Sequence, residues 1–121
     1  SSPGDPEGLF YLGRTQLELG QLEPAAATFG DLIADHPEYN EAYFYLGKTY
    51  SDLGHPAEAY YYLGRHHHLK GAYKNAAFQY ERALKAEADP ARRQELEKLL
   101  GEVREALAPR EDQAADPRSG R

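Results

Sequence analysis

Cysteine, methionine and tryptophan are all absent from this chain of 121 residues. Without cysteine there is no disulfide framework, no thiolate nucleophile and no cysteine-ligated metal site. No apolar run approaches the roughly 18 residues of a membrane-spanning helix, and no signal-peptide pattern opens the chain, so membrane insertion is not predicted. Basic residues are fewer than acidic ones, with 14 Lys and Arg and 20 Asp and Glu. The net charge of −6 argues against nucleic acid as a partner, since nucleic-acid binding favours a basic surface.

The sequence motifs of catalysis are also missing. The chain holds no HExxH, no nucleophile elbow and no phosphate-binding loop. It is long enough for one domain but too short for a catalytic domain beside a repeat domain. We therefore predict that the chain is not an enzyme and has no catalytic residue, metal site or cofactor. The start at Ser1-Ser2-Pro3, without an initiator Met, is expected of a fragment cut from a longer protein.

What the chain has instead is a strict sequence period. Three phenylalanines are evenly spaced, and each is followed one helical turn later by a cation: Phe10 with Arg14, Phe44 with Lys48, and Phe78 with Arg82. A period of this length, about 34 residues, is typical of stacked repeats. Residues 6–39, 40–73 and 74–107 form three units in this register. An N-terminal extension at 1–5 precedes them, and the polar residues 108–121 are expected to be a flexible tail or linker.

The apolar pattern, together with Gly and Pro, predicts an all-α chain of six helices. We expect these helices at about residues 7–19, 23–35, 40–53, 56–70, 73–87 and 89–107. The sixth has a single apolar stripe on an otherwise charged surface, which is typical of a helix that caps a stack.

The first unit, PEGLFYLGRTQLELGQLEPAAATFGDLIADHPEY, carries Leu, Leu-Gly, Gly, Ala, Phe and a late Pro at the spacing of the tetratricopeptide repeat (TPR). It resembles that family closely, and the second unit keeps Leu46-Gly47, Gly54 and Ala59 in the same places. The resemblance implies a short right-handed solenoid of about three helix-turn-helix repeats with a C-terminal capping helix.

A second register competes with the first near the end of the chain. Leu63-Gly64, Gly71, Ala76 and Tyr80 also match the repeat pattern, but they begin only half a period after Leu46-Gly47. The fourth helix would then be the second helix of one unit and resemble the first helix of the next. This double role is compatible with a solenoid, because each helix packs on its predecessor and its successor.

Helix geometry separates a core face from a candidate binding face. At about 100° per residue, Leu9, Leu12 and Gly13 share one face of the first helix and are expected inside its hairpin. Phe10 and Arg14 point elsewhere, as do the equivalent pairs in the other units. Because the first helices of TPR units line the concave side, the resemblance implies that Phe10, Arg14, Phe44, Lys48, Phe78 and Arg82 face one groove. In the shifted register Phe78 would lie on a second helix instead.

Two interpretations of these six residues stay open. The first is a groove that binds a protein or peptide, and the second is structural packing, because an aromatic and a cation one turn apart also stabilise a helix. We predict a protein-interaction module that binds its partner on the concave face, with an apolar or aromatic peptide as ligand. The alternative is a structural module that self-associates into a homo-oligomer through the ends of its stack. Neighbouring His66, His67 and His68 fan out around one helix, so they do not predict a metal site.

A further resemblance concerns residues 60–107, which begin YYYLGRHHHLKGAYKNAAF. This stretch looks like the C-terminal TPR region of bacterial M48-family zinc metallopeptidases of the periplasm, which take part in β-barrel assembly quality control. The resemblance implies that a protease domain with HExxH would lie in a missing N-terminal part, and that this region would hold substrates or partners near it. It would place the chain in the periplasm or cell envelope; without it, the expected location is cytoplasmic.

Overall fold

The computed structural model describes residues 4–109 and contains six α-helices and no strand in that range. In chain order they are α1 (Pro6–Glu18), α2 (Leu22–Asp35), α3 (Asn40–Asp52), α4 (Pro56–Leu69), α5 (Tyr73–Ala86) and α6 (Pro90–Leu107). The predicted all-α solenoid of helical repeats is confirmed. None of these six helices is both long and apolar enough to cross a membrane. Residues 1–3 and 110–121 lie outside the described range, which contains only the first two residues of the expected tail at 108–121, so that tail stays a prediction.

Three of the helices end in the same way. Gly20, Gly54 and Gly71 follow the ends of α1, α3 and α4, with φ angles of 76°, 79° and 76°. This left-handed conformation is open to glycine and strained for other residues, so each glycine terminates its helix and turns the chain towards the next. Helix α4 therefore ends in the same glycine turn as α1 and α3, although Gly71 comes only half a repeat period after Gly54.

Close approach at three other glycines determines how successive helices pack. A Cβ at Gly13 would lie 2.6 Å from the Phe29 ring, and one at Gly64 would lie 2.5 Å from the Tyr80 ring. At Gly47 the nearest atom is in Leu63, at 2.9 Å. The sequence separation between the glycine and its partner is the same in all three cases, so the α1–α2, α3–α4 and α4–α5 pairs share one packing geometry. Helix α4 therefore has both roles that the two sequence registers assign to it.

The core consists of two clusters of buried residues. The first joins α1, α2 and α3 through Phe10, Ala25, Phe29, Leu32, Ala42 and Leu46. The second joins α5 and α6 through Ala76, Tyr80, Ala83, Leu96, Leu100 and Val103. Helix α4 connects the clusters, since Tyr62 packs against the first, while Tyr60 and Tyr61 pack against the second. The tyrosines of α4 thus hold the two halves of the array together.

One expected core residue lies at the surface. Leu12 is 48% exposed, whereas Leu46, its equivalent in the next repeat, is 1% exposed. The difference follows from position, because Leu46 packs in the core with Phe29 and Leu32 of α2, and no helix precedes α1 within residues 4–109. The expectation that Leu12 packs inside the α1–α2 hairpin is therefore wrong.

The double role of α4 can be tested at Gly64. We expect Gly64→Ala to lower the free energy of unfolding by about 1–3 kcal/mol, because the new methyl group would overlap the Tyr80 ring. Gly101→Ala is the matched control, since a Cβ there meets no atom within 4 Å. In the middle of α6 it should stabilise the protein by up to about 1 kcal/mol. Urea titrations of both variants measure the difference, and equal stabilities would contradict the α4–α5 packing.

Candidate functional site

Phe10, expected as an exposed residue of the groove, is buried. Only 4% of it is exposed, and its ring centroid lies 5.4 Å from that of Tyr39, 5.5 Å from Tyr45 and 6.2 Å from Phe29. The expectation considered α1 as an isolated helix, whereas Tyr39 and Tyr45 pack against this side of α1. Phe10 therefore belongs to the core, and a direct contact with a partner is not open to it.

Tyr45 is the residue around which the predicted site gathers, and sequence reasoning missed it. The guanidinium carbon of Arg14 lies 4.9 Å from the centroid of the Tyr45 ring. The Phe44 ring also meets Tyr45 edge-on, with the ring centroids 5.3 Å apart. A signal existed, since Tyr11 and Tyr45 also follow the repeat period. Tyr45 thus links Arg14 of α1 to Phe44 of α3.

Between α1 and α3 lies a cavity of about 390 Å³, which we call the α1–α3 groove. It is lined by Arg14, Leu17, Glu18, Tyr45, Lys48 and Asp52. Arg14 and Lys48 form a basic row across the two helices, and Glu18 and Asp52 form an acidic row one turn further on. None of these four charged side chains forms an ion pair with a residue in the described range. The groove therefore offers both signs of charge beside an apolar wall.

Phe78 and Arg82 lie in a different place. The Arg82 guanidinium carbon is 5.3 Å from the Phe78 ring centroid and 4.9 Å from that of Tyr60. Its Nη2 also donates to the Tyr60 hydroxyl at 3.1 Å. The aromatic and cation contacts of the described residues do not connect this pair to the α1–α3 groove. The reason is the α4–α5 hairpin, in which α5 is the second helix, so the expected single groove of three equivalent pairs is not formed.

A second cleft lies between α4 and α6. Two polar contacts cross it, and both join residues one repeat period apart: the Tyr61 hydroxyl donates to Glu95 at 2.8 Å, and Arg92 pairs with Glu58 at 3.3 Å. Arg65 also donates to the Tyr61 hydroxyl at 2.9 Å. Burial, followed by the hydrogen bond to Glu95, raises the pKa of Tyr61 to about 12. Because these polar groups bind one another, the cleft is a brace between helices.

The three consecutive histidines of α4 serve different neighbours. His66 Nδ1 lies 2.9 Å from the Asn40 side-chain oxygen, and His68 Nδ1 lies 3.0 Å from the Tyr80 hydroxyl. Nδ1 of His67 is buried without a hydrogen-bond partner in the described range. Burial lowers the pKa of all three rings below the ordinary value of 6.5. No group of three or more potential metal ligands occurs among the described side chains.

Comparison with known families gives two matches. A family model described as tetratricopeptide repeat matches residues 7–39, and a second model of the same description matches residues 49–92. The first match covers nearly all of α1 and all of α2, while the second contains α4 and α5 in full. Repeats of this family are typically non-catalytic. A search among curated proteins finds none that matches the chain.

Because Phe10 is buried and Phe44 is partly exposed, replacing each by alanine should lower the free energy of unfolding by different amounts. Phe10→Ala should lower the free energy of unfolding by about 3–5 kcal/mol, because it empties a buried ring site. Phe44 is 41% exposed, so Phe44→Ala should cost clearly less. Chemical denaturation of the two variants beside the wild type gives both values. A Phe10→Ala variant as stable as Phe44→Ala would contradict the burial of Phe10.

The histidines of α4 predict a loss of stability on mild acidification. Their folded-state pKa values lie below 6.5, so the unfolded chain takes up more protons than the folded protein as the pH falls through this value. Their contribution to stability is therefore complete above about pH 6.5 and decreases below it. We expect the melting temperature to fall between neutral and mildly acidic pH. The fall in melting temperature should be smaller in the triple variant His66→Gln, His67→Gln, His68→Gln. The control is His55→Gln, a change at an exposed histidine, whose melting temperature should fall as in the wild type. An equal fall in the triple variant would contradict the assignment.

Proposed function

Because the chain is a tetratricopeptide repeat protein, we propose that it is a protein-interaction module whose partner segment binds in the α1–α3 groove. Repeats of this family generally mediate contacts between proteins. The observation that carries the proposal is the state of Arg14 and Lys48, which line one cavity and form no ion pair with a described residue. Among the described lysines and arginines only Arg92 and Arg104 form ion pairs, so what distinguishes Arg14 and Lys48 is that they lie on two helices and line the same cavity.

The contact between Arg14 and Tyr45 supports this proposal. A guanidinium that lies over an aromatic ring is attracted through its face, and its N–H groups, which lie in its plane, remain able to donate hydrogen bonds. Tyr45 therefore holds Arg14 in one orientation without occupying its donors. Pre-organisation of this kind lowers the cost of ordering the side chain when a ligand arrives.

The charges of the groove define the ligand class. The basic row favours a carboxylate or a carbonyl oxygen of the partner, while Glu18 and Asp52 disfavour a uniformly acidic segment. Leu17 and Tyr45 supply apolar surface beside the two rows, and the exposed Phe44 ring extends it. A peptide with an acidic residue next to an aromatic or aliphatic side chain fits this arrangement. Phe78 and Arg82 stay candidate contacts on a separate part of the surface.

Two further aspects of the function are also proposals. The resemblance of residues 60–107 favours a recruiting role beside a zinc metallopeptidase domain of a bacterial envelope protein. An HExxH motif upstream of Ser1 in the same reading frame is the expected finding, and an upstream region without one would contradict it. Self-association through the ends of the solenoid is the alternative function, and light scattering at several protein concentrations tests it.

The groove can be tested with an array of peptides that combine acidic and apolar residues. We expect Phe44→Ala to weaken binding by about 1–2 kcal/mol, as for an aromatic anchor at an interface. Lys48→Glu should mainly slow association and reduce its dependence on salt. Lys98→Glu makes the same charge change on α6, away from the groove, and should bind like the wild type. Melting curves confirm that the variants are folded. Unchanged binding by folded Phe44→Ala and Lys48→Glu would overturn the groove as the site.

A further inference from the structure

The outer face of α1 carries an exposed apolar stripe. Its members are Tyr11, Leu12, Thr15 and Leu19, which we call the α1 outer stripe; all four are exposed, and Leu19 is 67% exposed. At 100° per residue they fall within an arc of about 100° on the helix, so they form one continuous surface. Large exposed apolar groups that lie together mark an interaction surface more often than scattered ones do.

The same residue types recur on α3, where they are covered. Tyr45, Leu46, Thr49 and Leu53 follow the α1 outer stripe by one repeat period and match it residue for residue. Leu46 and Thr49 are fully buried, while Tyr45 and Leu53 are partly buried. Leu46 lies in the core cluster with Phe29 and Leu32 of α2, and Phe29 stacks on Tyr45 at 6.1 Å. The packing of α2 on α3 therefore shows what kind of surface can cover the α1 outer stripe, namely a helix with a Phe and a Leu one turn apart.

The hairpin that carries the stripe is strongly acidic. Residues 5–35 contain six acidic residues and Arg14 as the sole base, so this hairpin carries a net charge of −5 out of −6 for the chain. The acidic residues are Asp5, Glu7, Glu18, Glu23, Asp31 and Asp35. Two copies that met through this face would bring two such surfaces together, which costs free energy. A helix with a basic polar face is attracted instead.

We infer that the α1 outer stripe is a second interaction surface, which docks an amphipathic helix of a partner protein with an apolar face like that of α2 and a basic polar face. It is separate from the α1–α3 groove and does not depend on the function proposed for that groove. The two surfaces adjoin on α1 but share no residue, since the groove uses Arg14, Leu17 and Glu18.

The test uses a peptide with the sequence of residues 22–35 in which Glu23, Asp31 and Asp35 are replaced by lysine. A cross-link on its polar face keeps it helical, because a free helix of this length is marginal in water. We expect fluorescence anisotropy to detect binding that weakens as salt rises. The peptide with the original acidic residues should bind about ten-fold more weakly or not at all.

Variants of the protein locate the binding. Leu12→Ser and Leu19→Ser should each lower the affinity by about ten-fold, as expected for large apolar residues of a small interface. Leu69→Ser is the matched control, because Leu69 is an exposed leucine on α4. Lys48→Glu changes the α1–α3 groove and not the stripe, so it should bind the peptide like the wild type. The proposal for the stripe can therefore fail without the proposal for the groove, and the reverse. Circular dichroism melts verify that all four variants are folded.

Two results would overturn the inference. The first is equal peptide affinity for the wild type, Leu12→Ser and Leu19→Ser. It would show that the peptide binds only because its lysines are attracted to acidic residues of the protein. The second is absence of peptide binding together with a concentration-dependent dimer in sedimentation that Leu12→Ser abolishes. In that case a second copy of the chain, not a basic helix, covers the stripe.

Discussion

The close approach of helices at Gly13, Gly47 and Gly64 is the constraint on which the rest of this structure depends. Each lacks a Cβ where a side chain of the following helix occupies that space. A larger residue would move the two helices of the pair apart and change the position of every helix that follows. The α1–α3 groove is formed by this spacing, because α1 and α3 are placed side by side through α2.

Much of this arrangement could be predicted from the sequence. The repeat period, the glycines that end helices and the apolar pattern together predicted all six helices and the solenoid. The half-period match at Leu63-Gly64 also indicated that α4 would pack in two ways, and the contact of Gly64 with Tyr80 confirms it. These features are local or strictly periodic, so they can be recognised without knowledge of contacts between distant residues.

The candidate site was harder to predict, since it depends on neighbours that a helical wheel does not contain. Phe10 and Phe44 are equivalent in the repeat, yet Tyr39 and Tyr45 pack on Phe10, while Phe44 remains partly open. Leu12 and Leu46 differ for a related reason, because α2 covers the second and not the first. Equivalent residues of a repeat thus acquire different roles from their place in the stack.

The two contacts of α4 also affect how the protein unfolds. Solenoids are often approximated as a row of units that form and melt one after another, each coupled to its nearest neighbours. Here α4 packs in both the α3–α4 pair and the α4–α5 pair, so separating α4 from either neighbour breaks one of these two pairs. We therefore expect α3, α4 and α5 to unfold together as one cooperative block. We also expect the α1–α2 hairpin and α6 to open more readily than the centre, so that their amides exchange with solvent first.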